Sequence, residues 1–163
     1  MGRKYTCAEY SRIVENARRT VGSIHIGSDW IIGFPGETEK DFEQACQFIE
    51  SLKFSNLHIF PYSPRKGTPA AEMPGRVPVE QIMARLERAK AIKNEAIMNF
   101  ARGLIGQQET ILVERQCSED VCEGLSSDFA RIRFRSKENL EGQFCKVQVC
   151  SVSEEGHISA KLV

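Results

Sequence analysis

The groups best placed to do chemistry in this chain are six cysteines, two loops rich in glycine and proline, and a row of alternating arginines. The cysteines are Cys7, Cys46, Cys117, Cys122, Cys145 and Cys150. A thiolate is a nucleophile and a ligand for soft metals, so spacing decides its use. The last four make two C-x4-C pairs, unlike the C-x2-C pairs of zinc ribbons, and no C-x3-C-x2-C run occurs. Most are expected to be free thiols. Cys145 falls in phase with Val147 and Val149 on an alternating run, which predicts burial. A four-thiolate zinc site is the alternative.

The stretch Asp29–Thr38, DWIIGFPGET, ends an apolar run on Gly-Phe-Pro-Gly and sets an acid and a hydroxyl where a helix should start. Gly33 and Gly36 let backbone approach a ligand closely, and Pro35 stiffens the loop. The first amides of a helix favour an anion, but Glu37 repels one. A phosphate cradle is therefore a poor reading, and a ligand with a cationic or hydrogen-bond-donating part fits better. A plain strand-to-helix turn with a good cap is the alternative. The second loop, Phe60–Thr68, FPYSPRKGT, offers aromatic faces, a hydroxyl and a cation.

The arginine row is FARIRFR, Phe129–Arg135, which alternates with period two. It puts Ala130, Ile132 and Phe134 on one face and Arg131, Arg133 and Arg135 on the other. Three guanidinium groups in line can follow a phosphate backbone, assisted by Lys137 and Lys146. From residue 104 onward seven Lys and Arg stand against ten Asp and Glu, so RNA binding would rest on that face and not on net charge. A solvated strand face whose charges guard an edge is the alternative.

These residues need elements to hold them. Thr6 and Glu9 have capping-box spacing ahead of Tyr10, Ile13, Val14, Ala17 and Val21, which predicts a helix to about Thr20. Residues 23–33 are apolar and β-branched enough for a strand covered on both faces. Thr38 and Asp41 repeat the capping box ahead of Phe42, Ala45, Cys46, Ile49 and Leu52, a second helix. Residues 56–60 suit another buried strand. Residues 61–78 hold five of the six prolines and predict a long ordered loop. Ile82, Leu86, Ala89, Ala96 and Phe100 then mark a long helix over 79–103. Helix and strand alternate as in an α/β protein with parallel strands, whose loops at one sheet end share a pocket. Beyond Gly106 the runs 110–114, 129–135, 144–150 and 157–163 are short and β-rich, predicting a small closed barrel.

Bulk composition excludes little else. Lys and Arg equal Asp and Glu at 22 each, so no overall field points to nucleic acid, an anionic membrane or an acidic substrate. No apolar run approaches the roughly 20 residues of a membrane span, and the first ten residues lack a signal peptide's apolar core. A cytoplasmic protein with no membrane partner is expected.

DWIIGFPGETEKDF followed by LHIFPYSPRKGTPAA resembles the radical S-adenosylmethionine methylthiotransferases that modify tRNA or a ribosomal protein. The β-rich tail is similar to the TRAM domain that ends those enzymes. LHIFPYS looks most like the branch acting on threonylcarbamoyladenosine next to the tRNA anticodon. The resemblance implies an α/β fold: the C-terminal portion of a partial (βα) radical-SAM barrel over residues 1–103, then a small all-β, OB-like TRAM barrel over 107–163. It implies a longer parent that uses S-adenosylmethionine and two [4Fe-4S] clusters, with an N-terminal cluster-binding domain and a C-x3-C-x2-C motif that opens the barrel, neither of them in this sequence. The chain alone is expected to bind no cluster, to have no turnover and no catalytic residue of its own, and to self-associate through uncovered strand edges.

Carried over to matching positions, Ile31, Gly33, Gly36 and Glu37 would border S-adenosylmethionine. Phe60, Tyr62 and Ser63 would line the cofactor or substrate side of the mouth, and Arg65 would meet tRNA. In the tail the tRNA backbone would be held by Arg131, Arg133, Arg135, Lys137 and Lys146. GLSSDF stands where the family often has a Gly-Tyr-Thr-Asp-like sequence, which leaves Ser126 and Ser127 as expected phosphate donors. Trp30 stands where a small aliphatic residue is common, and core filling is expected of it. A stand-alone RNA-binding protein without catalysis is the competing function.

Overall fold

Two capping boxes start the first two helices. The Thr6 hydroxyl accepts from the Glu9 amide while the Glu9 carboxylate accepts from the Thr6 amide, opening α1 (Cys7–Val21). Thr38 and Asp41 do the same for α2 (Glu39–Leu52). The structure is a computed structural model and describes residues 3–22 and 24–163. Between the helices, β1 (Gly27–Ile32) pairs in parallel with β2 (Asn56–Pro61), with Ile31 opposite Phe60. A one-turn helix α3 (Pro69–Glu72) and the long α4 (Val79–Gly103) follow. The contacts of the chain fall into two units divided between Ala96 and Ile97, inside α4.

In the first unit one core joins Val14 of α1, Phe42 and Cys46 of α2, and Ala89 and Ile92 of α4 to Trp30, Ile32 and Leu57 of the strands. Trp30 fills that core as expected, stacked on Phe42 at 5.8 Å between ring centroids and 16° between planes. Three expectations need correction. The first strand is shorter than 23–33: Ser23 lies outside the described residues, and residues 24–26 have no ladder partner because β2 begins only at Asn56. Ile26 is instead held by Ser55, whose amide donates to the Ile26 carbonyl at 2.8 Å. The sheet is also covered on one face only. Trp30, Ile32 and Leu57 are buried, whereas Asp29, His58 and Phe60 on the other face are exposed, because the core-forming helices all pack on the first. Third, the proline-rich loop contains α3, which Pro69 starts from the first helical position, where its missing N–H costs nothing.

The second unit is a closed barrel of β3 (Gln108–Ser118), β4 (Val121–Ser126), β5 (Arg131–Arg135), β6 (Phe144–Val152) and β7 (Ile158–Leu162). The order around it is β3-β4-β5-β7-β6. All pairings are antiparallel except β5 with β7. Ile111, Val113, Cys122, Ile132, Phe134, Val147, Val149 and Ile158 fill it, joined by Ala101 and Leu104 from the chain just before. Cys145 packs against this core, in phase with Val147 and Val149. Strand β4 is absent from the expected set because Glu123 and Gly124 interrupt its apolar pattern. A glycine is required there: a Cβ on residue 124 would sit 2.5 Å from the Leu112 carbonyl oxygen across the ladder. Strand β5 starts at Arg131 and not at 129, because Phe129 takes a φ of 58° in the preceding turn.

Candidate functional site

The Gly33–Thr38 loop is closed by its own acid. Glu37 Oε2 accepts from the Gly33 amide at 2.8 Å and from Arg85 Nη1 at 2.8 Å. Arg85, only 4% exposed on α4, also donates to the Glu37 carbonyl at 3.2 Å and to Glu39 Oε2 at 3.0 Å, with its guanidinium 5.4 Å over the Phe42 ring. The carboxylate that was to exclude anions from the loop is thus answered within the protein. Gly33 has a φ of 79°, and a Cβ there would meet Ile82 Cγ1 of α4 at 2.6 Å, so it serves helix packing. Gly36 donates its amide to the Gly75 carbonyl at 2.8 Å. None of Gly33, Gly36 and Glu37 is among the residues lining the cleft described next.

That cleft, of about 1030 Å³, opens at the C-terminal ends of the parallel pair. It brings together Ile31, Phe60, Tyr62 and Ser63 with Phe34 and Arg65. The Tyr62 amide donates to the Ile32 carbonyl at 2.7 Å, extending the β1–β2 ladder and fixing the ring, which meets Phe34 edge-on at 5.4 Å. The Tyr62 hydroxyl is buried with no hydrogen-bond partner among the described residues. A buried, unmatched hydroxyl in a largely apolar cleft suits a ligand that pairs an aromatic or aliphatic body with a polar group. S-Adenosylmethionine fits that description: Ile31, Phe34 and Phe60 would hold its apolar parts and Tyr62 a polar one. Among the described residues no group of three or more His, Cys, Asp or Glu could hold a metal ion. The thiols are scattered. Burial pushes Cys46 up to about 11 and raises Cys145 as well, while Cys7, Cys117 and Cys150 are exposed.

On the barrel, the arginine row has a different shape from the one expected. Ala130, Ile132 and Phe134 do point inward, and Arg131, Arg133 and Arg135 outward. Arg131 and Arg133, however, converge on Glu123 of β4, which is 1% exposed. Glu123 Oε2 accepts from Arg133 Nε at 2.7 Å, and Oε1 from Arg131 Nη1 at 3.0 Å. Arg115 of β3 completes the group with Nη2 at 2.8 Å and Nε at 3.1 Å from Oε1. Burial alone would raise the Glu123 carboxyl, but the hydrogen bonds from Arg133, Arg115 and Arg131 outweigh it and hold the group down at about 2. Arg135 stands apart, 3.9 Å from Asp120. Lys137, Lys146 and Ser127 are exposed. Ser126 is buried, its hydroxyl accepting from the Ala130 amide at 3.1 Å, so it is a turn residue and not a phosphate donor.

Sequence reasoning missed Arg85, Arg115 and Glu123. Arg85 had a signal, since it interrupts the buried stripe of α4 between Ile82 and Ala89. Arg115 did not: a β-bulge between Val113 and Arg115 shifts the register and puts it opposite Glu123.

The chain thus combines an α/β unit that carries a cleft at its strand ends with a small closed β-barrel that carries a row of arginines. No family model matches the chain. The chain is 36% identical over 161 residues to the threonylcarbamoyladenosine tRNA methylthiotransferase of Thermotoga maritima, covering 99% of this chain and 37% of that protein. It is 36% identical over 154 residues to the tRNA-2-methylthio-N(6)-dimethylallyladenosine synthase of Actinobacillus pleuropneumoniae, covering 93% and 32%. To the enzyme of the latter name in Ehrlichia canis it is 45% identical over 112 residues, covering 69% and 25%. By sequence the chain belongs to the tRNA methylthiotransferase family, and it spans about a third of the length of these relatives.

Proposed function

We propose that the chain is part of a cytoplasmic tRNA methylthiotransferase that adds a methylthio group to threonylcarbamoyladenosine beside the anticodon. The observation that carries this is the relationship at 36% identity across 99% of the chain to an enzyme of that name. In this reading the first unit is the later part of a radical-SAM barrel. Its cleft residues Ile31, Phe60, Tyr62 and Ser63 bind and orient S-adenosylmethionine, and Gly33, Gly36 and Glu37 hold the bordering loop in shape. The barrel is a TRAM domain that grips tRNA by its phosphates, through the face carrying Arg131, Arg133, Arg135, Lys137 and Lys146. Bound S-adenosylmethionine would supply radical and methyl-group chemistry; the clusters that reaction needs belong to parts of the protein other than these residues.

The test is nucleoside analysis by mass spectrometry. Expressed in a strain that makes threonylcarbamoyladenosine but not its methylthio derivative, the complete reading frame that contains this chain should restore the derivative, whereas the 163 residues alone should not. Tyr62→Phe should lower the yield without lowering stability, since it removes a buried hydroxyl that has no partner among the described residues. Appearance of methylthiolated dimethylallyladenosine instead would move the assignment to the other branch, and no methylthiolated nucleoside at all would refute the reading.

The outer edges of β1 and β2, which have no partner strand among the described residues, support one further part of the proposal, that this chain by itself self-associates. Its sedimentation coefficient should rise with concentration; a constant monomer value across the micromolar range would contradict it.

A further inference from the structure

We infer that Glu123 is a positioning residue for a phosphate seat, fixing the guanidinium groups of Arg115, Arg131 and Arg133 in one array that takes an RNA phosphodiester. The inference rests on the tRNA-binding role of the barrel proposed above and goes further by naming the organiser and the third arginine. A single bidentate arginine would satisfy a buried carboxylate. Here three arginines surround it, and drawing like charges together works against folding unless something gains from the array. Glu114 takes a second bond from Arg131 at 2.7 Å, so three cations face two carboxylates and one positive charge is left over. The acid itself is 1% exposed, whereas the side chains of Arg115, Arg131 and Arg133 are 60%, 52% and 44% exposed. Their remaining N–H groups, Nη1 and Nη2 of Arg133 among them, have no partner among the described residues. Incoming phosphate oxygens therefore meet donors already oriented from below, and the acid stays hidden from them.

This arrangement makes a prediction opposite in sign to simple electrostatics. Glu123→Gln removes a negative charge, which by net charge alone should tighten RNA binding. In the array it turns one acceptor oxygen into an N–H₂ group that faces a guanidinium donor, so at least one arginine is released. The 163-residue chain is titrated with a tRNA transcript by fluorescence anisotropy over a series of salt concentrations. Glu123→Gln is expected to bind about tenfold more weakly and to lose roughly one unit of the salt slope, the size of one phosphate contact. Equal or tighter binding by the variant would overturn the inference while leaving the tRNA-binding reading intact. Failure of the unaltered chain to bind tRNA would overturn both.

A second pair of variants guards against a Glu123→Gln protein that does not fold. Arg115→Lys keeps the charge but loses the two-point hold on Oε1, on a side chain exposed enough for the fold to survive. It is expected to weaken binding severalfold, whereas Arg102→Lys, exposed on α4 and outside both the array and the proposed RNA face, should leave binding unchanged. If the two lysine variants bind alike, the seat is not where these contacts place it.

Discussion

Arg85→Met is expected to destabilise the first unit by about 3–5 kcal/mol, the usual result of removing one partner of a buried ion pair. The methionine refills most of the volume, so the loss falls on the charge and hydrogen-bond pattern. Glu37, 12% exposed, would keep only the Gly33 amide at 2.8 Å and would stay buried as an unanswered carboxylate. The Arg85–Glu39 pair contributes little, since Glu39 is 78% exposed. Trp30 reports the change well: it is the chain's single tryptophan, it lies in the first unit, and it stacks on the Phe42 ring that Arg85 covers. Urea unfolding followed by Trp30 fluorescence should show the midpoint fall. Adding Glu37→Gln to Arg85→Met should restore part of the loss, because the pair is coupled. A single-variant loss below about 1 kcal/mol would mean that water reaches Glu37 far more freely than this burial indicates.

The second large effect concerns acid. The Glu123 carboxyl titrates at about 2 in the folded barrel against an ordinary 4.5. A lowered value means the folded state binds its proton less readily than the unfolded chain. The stabilisation is therefore complete above pH 4.5 and is lost as the pH falls toward 2. At ~1.4 kcal/mol for each tenfold change in proton affinity, the amount is on the order of 3 kcal/mol. Amide exchange of residues 121–126, measured at pH 5 and again near pH 2.5 after correction for intrinsic rates, should show protection falling over that range. The Glu123→Gln barrel should be weaker at pH 5 and change far less. Equal pH dependence in both proteins would show that other carboxylates control the acid transition.

Legibility followed the range of the interactions involved. The starts of α1 and α2 could be read because a capping box is complete within four residues, as Thr6 with Glu9 and Thr38 with Asp41 show. The inward set Ala130, Ile132 and Phe134 was legible because period two needs no knowledge of neighbours. The cleft was half legible: Ile31, Phe60, Tyr62 and Ser63 meet there, but Gly33 and Glu37 face a helix residue nearly fifty positions later in the chain. Glu37 looked like a ligand-facing acid because its partner Arg85 is remote and charged, and no local pattern marks a charge as buried. Strand β4 stayed hidden for the same reason. Glu123 reads as a solvent residue until β3 and β5 bring three guanidinium groups over it.

The place of β7 in the barrel has a consequence for biosynthesis. It is the last strand in the chain, yet it lies between β5 and β6. While residues 158–162 are still inside the ribosome, the other four strands can pair only as an open sheet with β5 and β6 as bare margins. The margin formed by β5 carries an arginine at every second position, and charge of that kind discourages another nascent chain from adding on. The residues proposed to grip RNA in the finished protein would thus first act to keep the unfinished one single, and the barrel would shut only when its closing stave is released.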